Sequence, residues 1–339
     1  MYETFYGLRE RPFELVPNPR FLFLTPRQRE ALSNLQYGLT TARGLTLLVG
    51  EAGTGKTTLV QAALADPSAA GVRVVLMSNP TLTRAEFFEF LARAFGLTEA
   101  AGVSKTRFLF ELRRELQERH KAGVLSALVI DEAQSIPYEL LEEIRLLSNI
   151  ETTTTKLLNV ILAGQPELSD RLNDTSLRQL KQRISLRCML KPMELNESAS
   201  YIAGRIRIAG GRPEQVFTRE AVAAVYQASG GLPRTVNVIC DNALIGGFAA
   251  QVKPINAAFV DEVCRDFDIR NNGAVSSAPP VSTLSEKDAV EDTAQVQEHP
   301  ELVSAPRVPA STTGEAPPFE SSVTPMFGSV NRKRRFSFF

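Results

Sequence analysis

Residues 50–57 carry the clearest chemical pattern in the chain, since Gly-Glu-Ala-Gly-Thr-Gly-Lys-Thr matches G-x-x-x-x-G-K-T. The apolar run Leu45–Val49 precedes them, and Thr58–Leu64, a stretch typical of a helix, follows. Glycines at this spacing let the backbone turn its N–H groups toward a polyphosphate, and the dipole of the following helix adds a positive end. A strand, a glycine-rich turn and a helix in this order predict a site for a nucleoside triphosphate rather than an inert turn.

This loop is expected to supply both backbone and side-chain contacts. Lys56 would reach the β and γ phosphates, and the hydroxyl of Thr57 would hold Mg²⁺. No base-specific residue can be read from the sequence, so the choice between ATP and GTP stays open. The residues predicted to bind the nucleotide are Gly50, Glu51, Ala52, Gly53, Thr54, Gly55, Lys56, Thr57 and Thr58.

A second nucleotide signature is the run Val129-Ile130-Asp131-Glu132, a buried strand that ends in two carboxylates. Here Asp131 is expected to bind Mg²⁺, and Glu132 to orient and deprotonate the attacking water. Phosphoryl transfer depends on positioning and charge compensation more than on covalent chemistry, and these groups would supply both. An acidic loop without function is the alternative, but its pairing with the phosphate loop favours hydrolysis over binding alone.

The elements that must position these residues alternate along the first part of the chain. Almost uninterrupted apolar runs predict strands, and stretches with helical periodicity separate them. Strands that are apolar throughout indicate a parallel sheet covered on both faces, so we predict an α/β fold with five parallel strands. The expected strands are Leu45–Val49, Val72–Met77, Ala127–Ile130, Leu157–Leu162 and Leu186–Leu190.

Strands disappear from about Glu194 onward, where the periodicity is that of helices alone. We therefore expect an α/β core over residues 26–192 and a small helical lid over residues 193–270. The helical stretches of this lid are expected at Asn196–Ile208, Arg219–Ala228, Pro233–Ala249 and Asn256–Phe267.

The two ends of the chain differ from its middle in composition. Residues 1–25 mix aromatic side chains with three prolines and predict an extended segment packed on the core. Residues 271–339 are rich in Pro, Ser, Thr, Val and Glu without a helical or strand period, which predicts a disordered tail. This tail ends in the basic and aromatic run Arg332–Phe339.

Composition narrows the class of protein. A formal net charge of zero gives no overall basic field for nucleic acid. The three cysteines, Cys188, Cys240 and Cys264, lack the spacing of a metal site and are expected to be reduced and buried in a cytosolic protein. The start of the chain lacks the pattern of a signal peptide, and no apolar run approaches the ~20 residues of a membrane-spanning helix. A soluble, cytoplasmic protein is the expectation.

The phosphate loop, the Asp131-Glu132 pair and the helical lid together resemble those of the AAA+ ATPases. The opening residues, Met-Tyr-Glu-Thr-Phe-Tyr-Gly-Leu at 1–8, are similar to those of general-secretion-pathway protein A ATPases and of the related ATPases of exosortase and exopolysaccharide loci. The likeness covers residues 1–270. Further motifs similar to that group are Asp-Glu-Ala-Gln at 131–134, Leu-Leu-Ser-Asn-Ile-Glu at 146–151 and Ala-Gly-Gln-Pro-Glu-Leu at 163–168.

The resemblance implies catalytic roles for further residues. Gln165 would be the sensor-1 residue that helps to place the lytic water, since its amide can both donate and accept. Arg234 would be the sensor-2 residue, whose planar and permanently charged guanidinium lies over the phosphates. Arg183 stands where the family has its arginine finger, which reaches the γ-phosphate of a neighbouring subunit, and Arg178 and Arg187 are nearby alternatives.

The resemblance also implies Mg²⁺-dependent hydrolysis of ATP to ADP and phosphate by a homo-oligomer, because a finger acts between subunits. The implied partners are proteins of an envelope-export machine for secretion or exopolysaccharide. Relatives commonly carry a membrane-spanning helix and a peptidoglycan-binding region after the ATPase, and neither is apparent here, so no direct cell-wall role is expected. The run Arg332–Phe339 would either contact an anionic inner membrane peripherally, be bound by a partner, or only aid solubility.

Two other functional classes are open from sequence. A DNA-dependent regulatory ATPase of the transposition-helper type shares this core and needs a basic track that faces the duplex. The neutral charge argues against it, although several basic residues could form such a track: Arg171, Arg178, Lys181, Arg183 and Arg187. An adaptor that binds ATP without hydrolysing it is the third class, and the presence of Glu132 argues against it.

Overall fold

A single sheet of five strands lies at the centre of the computed structural model, which describes residues 1–16 and 18–269. The strands are β1 (Leu45–Gly50), β2 (Val72–Met77), β3 (Leu125–Ile130), β4 (Asn159–Gly164) and β5 (Ile184–Leu190). They lie in the order β2-β3-β4-β1-β5, and all neighbours are parallel. The predicted α/β fold with five parallel strands is confirmed.

Helices connect the strands and continue beyond the last of them. Those that begin before β5 are α1 (Tyr2–Tyr6), α2 (Pro26–Thr40), α3 (Lys56–Ala65), α4 (Arg84–Phe95), α5 (Glu99–Val103), α6 (Lys105–Lys121), α7 (Tyr138–Leu147), α8 (Pro166–Arg171) and α9 (Arg178–Lys181). Those that follow it are α10 (Leu195–Ile208), α11 (Pro213–Val216), α12 (Arg219–Ser229), α13 (Pro233–Ala249) and α14 (Ala257–Asp266). Helix α4 begins with a capping box, in which the side chain of Thr83 accepts from the backbone N–H of Glu86 and that of Glu86 accepts from the backbone N–H of Thr83.

Apolar side chains cover both faces of the sheet, which is why its central strands lack a polar face. Leu47 of β1 packs into a cluster with residues of α4 to α9, whereas its neighbour Leu48 packs into another cluster with residues of α2 and α3. Val129 and Ile130 of β3 divide between the two clusters in the same way. Successive side chains of a strand point to opposite faces, so both sets are buried.

The carboxyl ends of the three middle strands bring the predicted catalytic residues together. Val49 of β1 pairs with Gly164 of β4, and Ile130 of β3 pairs with Leu162 of β4. The carboxyl ends of these strands therefore lie side by side, and they are followed by the phosphate loop, the Asp131-Glu132 pair and Gln165. Ligands of open α/β sheets bind at the carboxyl ends of the strands.

The N-terminal segment differs from the extended one that its prolines predict. It begins with helix α1, whose Tyr2 and Tyr6 are buried one turn apart, and Gly7 ends the helix in the left-handed conformation with a φ of 73°. Its aromatic residues do not pack on the sheet. They join an apolar cluster with residues of α10 to α14, in which Phe13 lies 6.2 Å from Phe217 between ring centroids. Helix α1 ends before the first proline of the segment, Pro12, so the preference of the prolines for extended backbone does not act on its residues.

The sequence also made predictions about the cysteines, the tail and membrane-spanning helices. The three cysteines are free and buried, as predicted. The tail predicted over residues 271–339, with the run Arg332–Phe339, lies outside the described residues, as does the last residue of the predicted lid. Among the helices of residues 1–16 and 18–269, none has the length and apolar character needed to cross a membrane.

Candidate active site

The phosphate loop has the tight conformation that its glycines allow. Gly53 and Gly55 have φ angles of 82° and 93°, in the left-handed region that other residues rarely adopt. Helix α3 begins directly after Gly55, so its first N–H groups lie at the loop. Lys56 is 5% exposed, and its Nζ donates to the carbonyls of Gly50 at 2.8 Å and Glu51 at 3.1 Å.

Opposing influences act on the ammonium of Lys56. Burial lowers the pKa of Lys56, while the carboxylates of Glu132, Asp131 and Glu167 act in the opposite direction. Desolvation disfavours the charged form, and nearby negative charges favour it. The lysine therefore lies within the field of the acidic residues that follow β3 and β4.

Thr57 and Asp131 meet directly across the site. The hydroxyl of Thr57 donates to Oδ2 of Asp131 at 2.7 Å, and Oδ1 of Asp131 accepts from the backbone N–H of Glu132 at 2.9 Å. A hydroxyl and a carboxylate are hard oxygen ligands, which suit Mg²⁺ bound together with substrate phosphates. These residues fit the metal that the sequence predicts, and the structure brings both of them to one point.

Glu132 follows Asp131 directly, and its backbone is in the left-handed conformation. Its φ is 52°, which is uncommon for a residue other than glycine. Its Oε2 accepts from Nε2 of Gln134 at 2.6 Å, and Nε2 of Gln165 lies 3.5 Å from the same oxygen. Gln165 therefore lies beside Glu132, and Gln134 is a further contact of this carboxylate that was not predicted from the sequence.

Arg234 also lies at the phosphate loop. Its backbone N–H donates to the carbonyl of Gly53 at 3.2 Å, and a Cβ added to Gly53 would lie 3.0 Å from that of Arg234. The side chain is exposed and lines the same cavity as the loop. The structure thus brings α13 to the loop through its first turn.

The site opens into a cavity of about 400 Å³. One wall is formed by the phosphate loop and Glu132, and the other by the N-terminal segment together with Tyr201, Arg205 and Asn237. The hydroxyl of Tyr201 donates to Oδ1 of Asn237 at 2.8 Å and accepts from Nη1 of Arg205 at 2.6 Å. Sequence analysis missed this polar wall, although Tyr201 and Arg205 stand four residues apart on one face of a predicted helix.

The candidate fingers do not join this cavity. Arg183 directly precedes β5, whose first residue, Ile184, pairs with Leu45 at the start of β1. Arg183 therefore lies at the amino ends of the strands, whereas Gly50 lies at their carboxyl ends. Its side chain is exposed, as are those of Arg178 and Arg187, and none of the three lines the cavity in the part of the chain that the structure describes.

The chain shows sequence similarity to known proteins. Residues 39–172 match the family model described as an AAA domain. The chain is 41% identical over 253 residues to general secretion pathway protein A of Aeromonas hydrophila. That match takes in 74% of this chain and 45% of the relative, so the chain spans less than half of the relative's length. The predicted resemblance is confirmed.

Solved structures show the same fold at low sequence identity. Cdc6p from Pyrobaculum aerophilum has a TM-score of 0.58 and 17% identity, over 75% of this chain and 70% of that one. The Aeropyrum pernix ORC2 protein, in its ADPNP–ADP complexes, has a TM-score of 0.57 and 16% identity, over 76% and 71% of the two chains. At these identities the likeness shows that the fold is shared with those two proteins and nothing further.

Proposed function

We propose that this chain, an AAA+ ATPase that resembles general secretion pathway protein A, hydrolyses ATP to drive a conformational change in an envelope-export assembly. The observation that carries the proposal is the meeting of Thr57, Asp131 and Glu132 beside the buried Lys56 at one edge of the sheet. A site for binding alone needs the phosphate loop but no carboxylate at the position of Glu132. The pair of carboxylates therefore favours hydrolysis.

Each residue has a part in this reaction. The loop N–H groups and Lys56 would hold the β and γ phosphates of ATP. Thr57 and Asp131 would hold Mg²⁺, which when bound neutralises charge on the phosphate oxygens. Glu132 would orient the attacking water and take its proton, with Gln165 as a second hydrogen-bonding group for that water.

Arginines would complete the site from two sides. Arg234, beside Gly53, would contact the phosphates of its own subunit. Arg183 would act on the site of a neighbouring subunit. Its exposed side chain lies at the amino ends of the strands, away from the phosphate loop of its own subunit. An arginine that reaches the γ-phosphate stabilises charge in the transition state. The enzyme would accordingly be a homo-oligomer with ATP between subunits.

The proposed setting rests on the similarity to general secretion pathway protein A of Aeromonas hydrophila. Identity of 41% over 74% of the chain supports a role in a secretion or exopolysaccharide machine. We place the protein in the cytoplasm, where ATP is available, with peripheral contact to the anionic inner membrane. The partner that its ATPase cycle remodels would be a protein of that export machine.

The test is ATP turnover by the purified protein over a range of protein concentrations, alone, with duplex DNA and with anionic liposomes. We expect turnover per subunit to rise with concentration, because the finger comes from a neighbour. Stimulation by DNA that declines steeply with salt would instead support the DNA-dependent regulatory ATPase. Bound ATP without any turnover would support the adaptor and contradict the proposal.

A further inference from the structure

The side chain of Gln134 joins two parts of the active site that lie far apart in sequence. Its Nε2 donates to Oε2 of Glu132 at 2.6 Å, and its Oε1 accepts from the backbone N–H of Gln165 at 3.0 Å. We infer that Gln134 is a positioning residue, which holds the carboxylate of Glu132 in the orientation that deprotonates water. The inference rests on the hydrolysis proposed above and adds a residue to which no role has been assigned.

The chemistry of the two partners fixes which way the amide of Gln134 points. A backbone N–H can only donate, so the atom facing Gln165 must be the amide oxygen. A carboxylate can only accept, so the atom facing Glu132 must be the amide nitrogen. Glutamine satisfies both partners at once, whereas glutamate would satisfy only the backbone N–H.

The hydrogen bonds to the carboxylate of Glu132 are made to one of its two oxygens. Both side-chain contacts of the carboxylate, from Gln134 and Gln165, are made to Oε2. Within residues 1–16 and 18–269, Oε1 of Glu132 has no hydrogen-bond partner, and the residue lines the cavity. A general base needs one oxygen aimed at its water, and fixing the other oxygen restricts the carboxylate to that geometry.

The surroundings of Gln134 hold it in place. A Cβ added to Gly164 would lie 3.1 Å from Oε1 and 3.2 Å from the backbone nitrogen of Gln134, so this glycine lets the loop approach β4 closely. Arg171 donates to the carbonyls of Gln134 at 2.5 Å and Ile136 at 2.6 Å. The guanidinium of Arg171 also stacks on the ring of Tyr138, 4.6 Å from its centroid. The loop after β3 is thus fixed from α8 as well as from β4.

The first variant to test is Gln134→Glu, which keeps an acceptor for the N–H of Gln165 but turns a carboxylate oxygen toward Glu132. Loss of a hydrogen bond to a charged group predicts a fall in kcat of about 10- to 100-fold. KM for ATP should stay within about twofold, because the phosphate contacts are untouched. Gln227→Glu is the matched control, since it adds the same charge at an exposed position of α12.

An exchange of the two side chains tests whether the hydrogen bond between positions 132 and 134 accounts for any stability lost in Gln134→Glu. In the double variant Glu132→Gln, Gln134→Glu, donor and acceptor trade places and the hydrogen bond can form again. We expect it to regain the melting temperature lost in Gln134→Glu but to stay inactive, since the base is gone. Recovery of turnover in the exchanged pair would overturn the inference, because it would show that the base need not stand at position 132 and so is not a carboxylate held by residue 134.

A second variant decides the matter if Gln134→Glu does not fold. Arg171→Lys keeps the positive charge but loses the two-point donation to the loop, and kcat should fall by about 3- to 10-fold with KM unchanged. If the wild type hydrolyses ATP and both the Gln134 and the Arg171 variants have the same kcat as the wild type, the inference is overturned. The proposed function would then still stand. Absence of turnover in the wild type would refute the proposed function and the positioning role with it.

Discussion

Replacing Phe13 by alanine tests whether the N-terminal segment belongs to the apolar cluster of helices α10 to α14. Phe13 is fully buried at 0% exposure and contacts Phe217 edge to face. Leu15, two residues along the same segment, is 56% exposed and provides a matched control. If the segment only lay on the surface, the two substitutions would have similar effects.

The size of the effect follows from the burial of the ring. Deleting a buried phenylalanine ring costs about 3–5 kcal/mol, through lost transfer energy and the cavity left behind. Each kcal/mol lowers the melting temperature of a domain of this size by about 2–4 °C, so Phe13→Ala should melt about 10 °C below the wild type. The exposed Leu15→Ala should change stability by less than about 0.5 kcal/mol.

Far-ultraviolet circular dichroism during heating is the suitable assay, since the chain has no tryptophan for fluorescence. Melting in urea would give the free energy of unfolding independently. Equal melting temperatures for Phe13→Ala and Leu15→Ala would refute the reasoning, because they would show that burial of Phe13 contributes nothing to the helical cluster.

Three further predictions address the site, the acid stability and a backbone contact. Arg183→Ala should lower turnover by roughly 10³-fold with ATP affinity unchanged, and mixing it with a variant that lacks the phosphate-loop lysine should restore part of the rate; no recovery would place the finger elsewhere. Glu111 has its pKa lowered to about 2 by hydrogen bonds, the largest from Arg107, so its stabilisation is present above its ordinary pKa of 4.5 and is lost as the pH falls toward 2. The melting temperatures of Glu111→Gln and the wild type should therefore converge in that range, and a constant difference would contradict this. Gly231 has a φ of 76°, and an added Cβ would lie 2.0 Å from the carbonyl oxygen of Met193. Gly231→Ala should therefore lower the free energy of unfolding by more than about 2 kcal/mol. Urea denaturation should show a smaller loss for Gly230→Ala, since an added Cβ at Gly230 would meet no atom within 4 Å.

The three central strands, β1, β3 and β4, could be predicted because burial on both faces leaves a direct trace, a nearly unbroken apolar run. The predicted strand Leu157–Leu162 begins two residues early, since Leu157 and Leu158 are buried before the ladder begins at Asn159. Helix α5, Glu99–Val103, was not predicted, because five residues are too few for a helical period to stand out. Strand order was likewise beyond reach, since parallel pairing joins strands distant in sequence.

Some residues of the candidate site could likewise be predicted from the sequence, and others could not. The phosphate loop, Asp131 and Glu132 could be predicted because each is a short local motif. The roles of Gln134 and Arg171 could not, since they depend on a contact between the ends of β3 and β4 that only the folded sheet provides. The N-terminal segment was predicted to be extended from its prolines, but helix α1 lies before the first of them, and its aromatic rings are buried against helices distant in sequence.

The most direct test of the central claim compares ATP binding and ATP turnover in the wild type and in Glu132→Gln, with Lys56→Ala as the control for binding. We expect Glu132→Gln to bind ATP as the wild type does and to turn it over at least about 10²-fold more slowly, because it lacks the base. Lys56→Ala should lose binding itself, since the buried ammonium that meets the phosphates is gone. Wild-type turnover in Glu132→Gln would contradict the account and show that water is activated by another group.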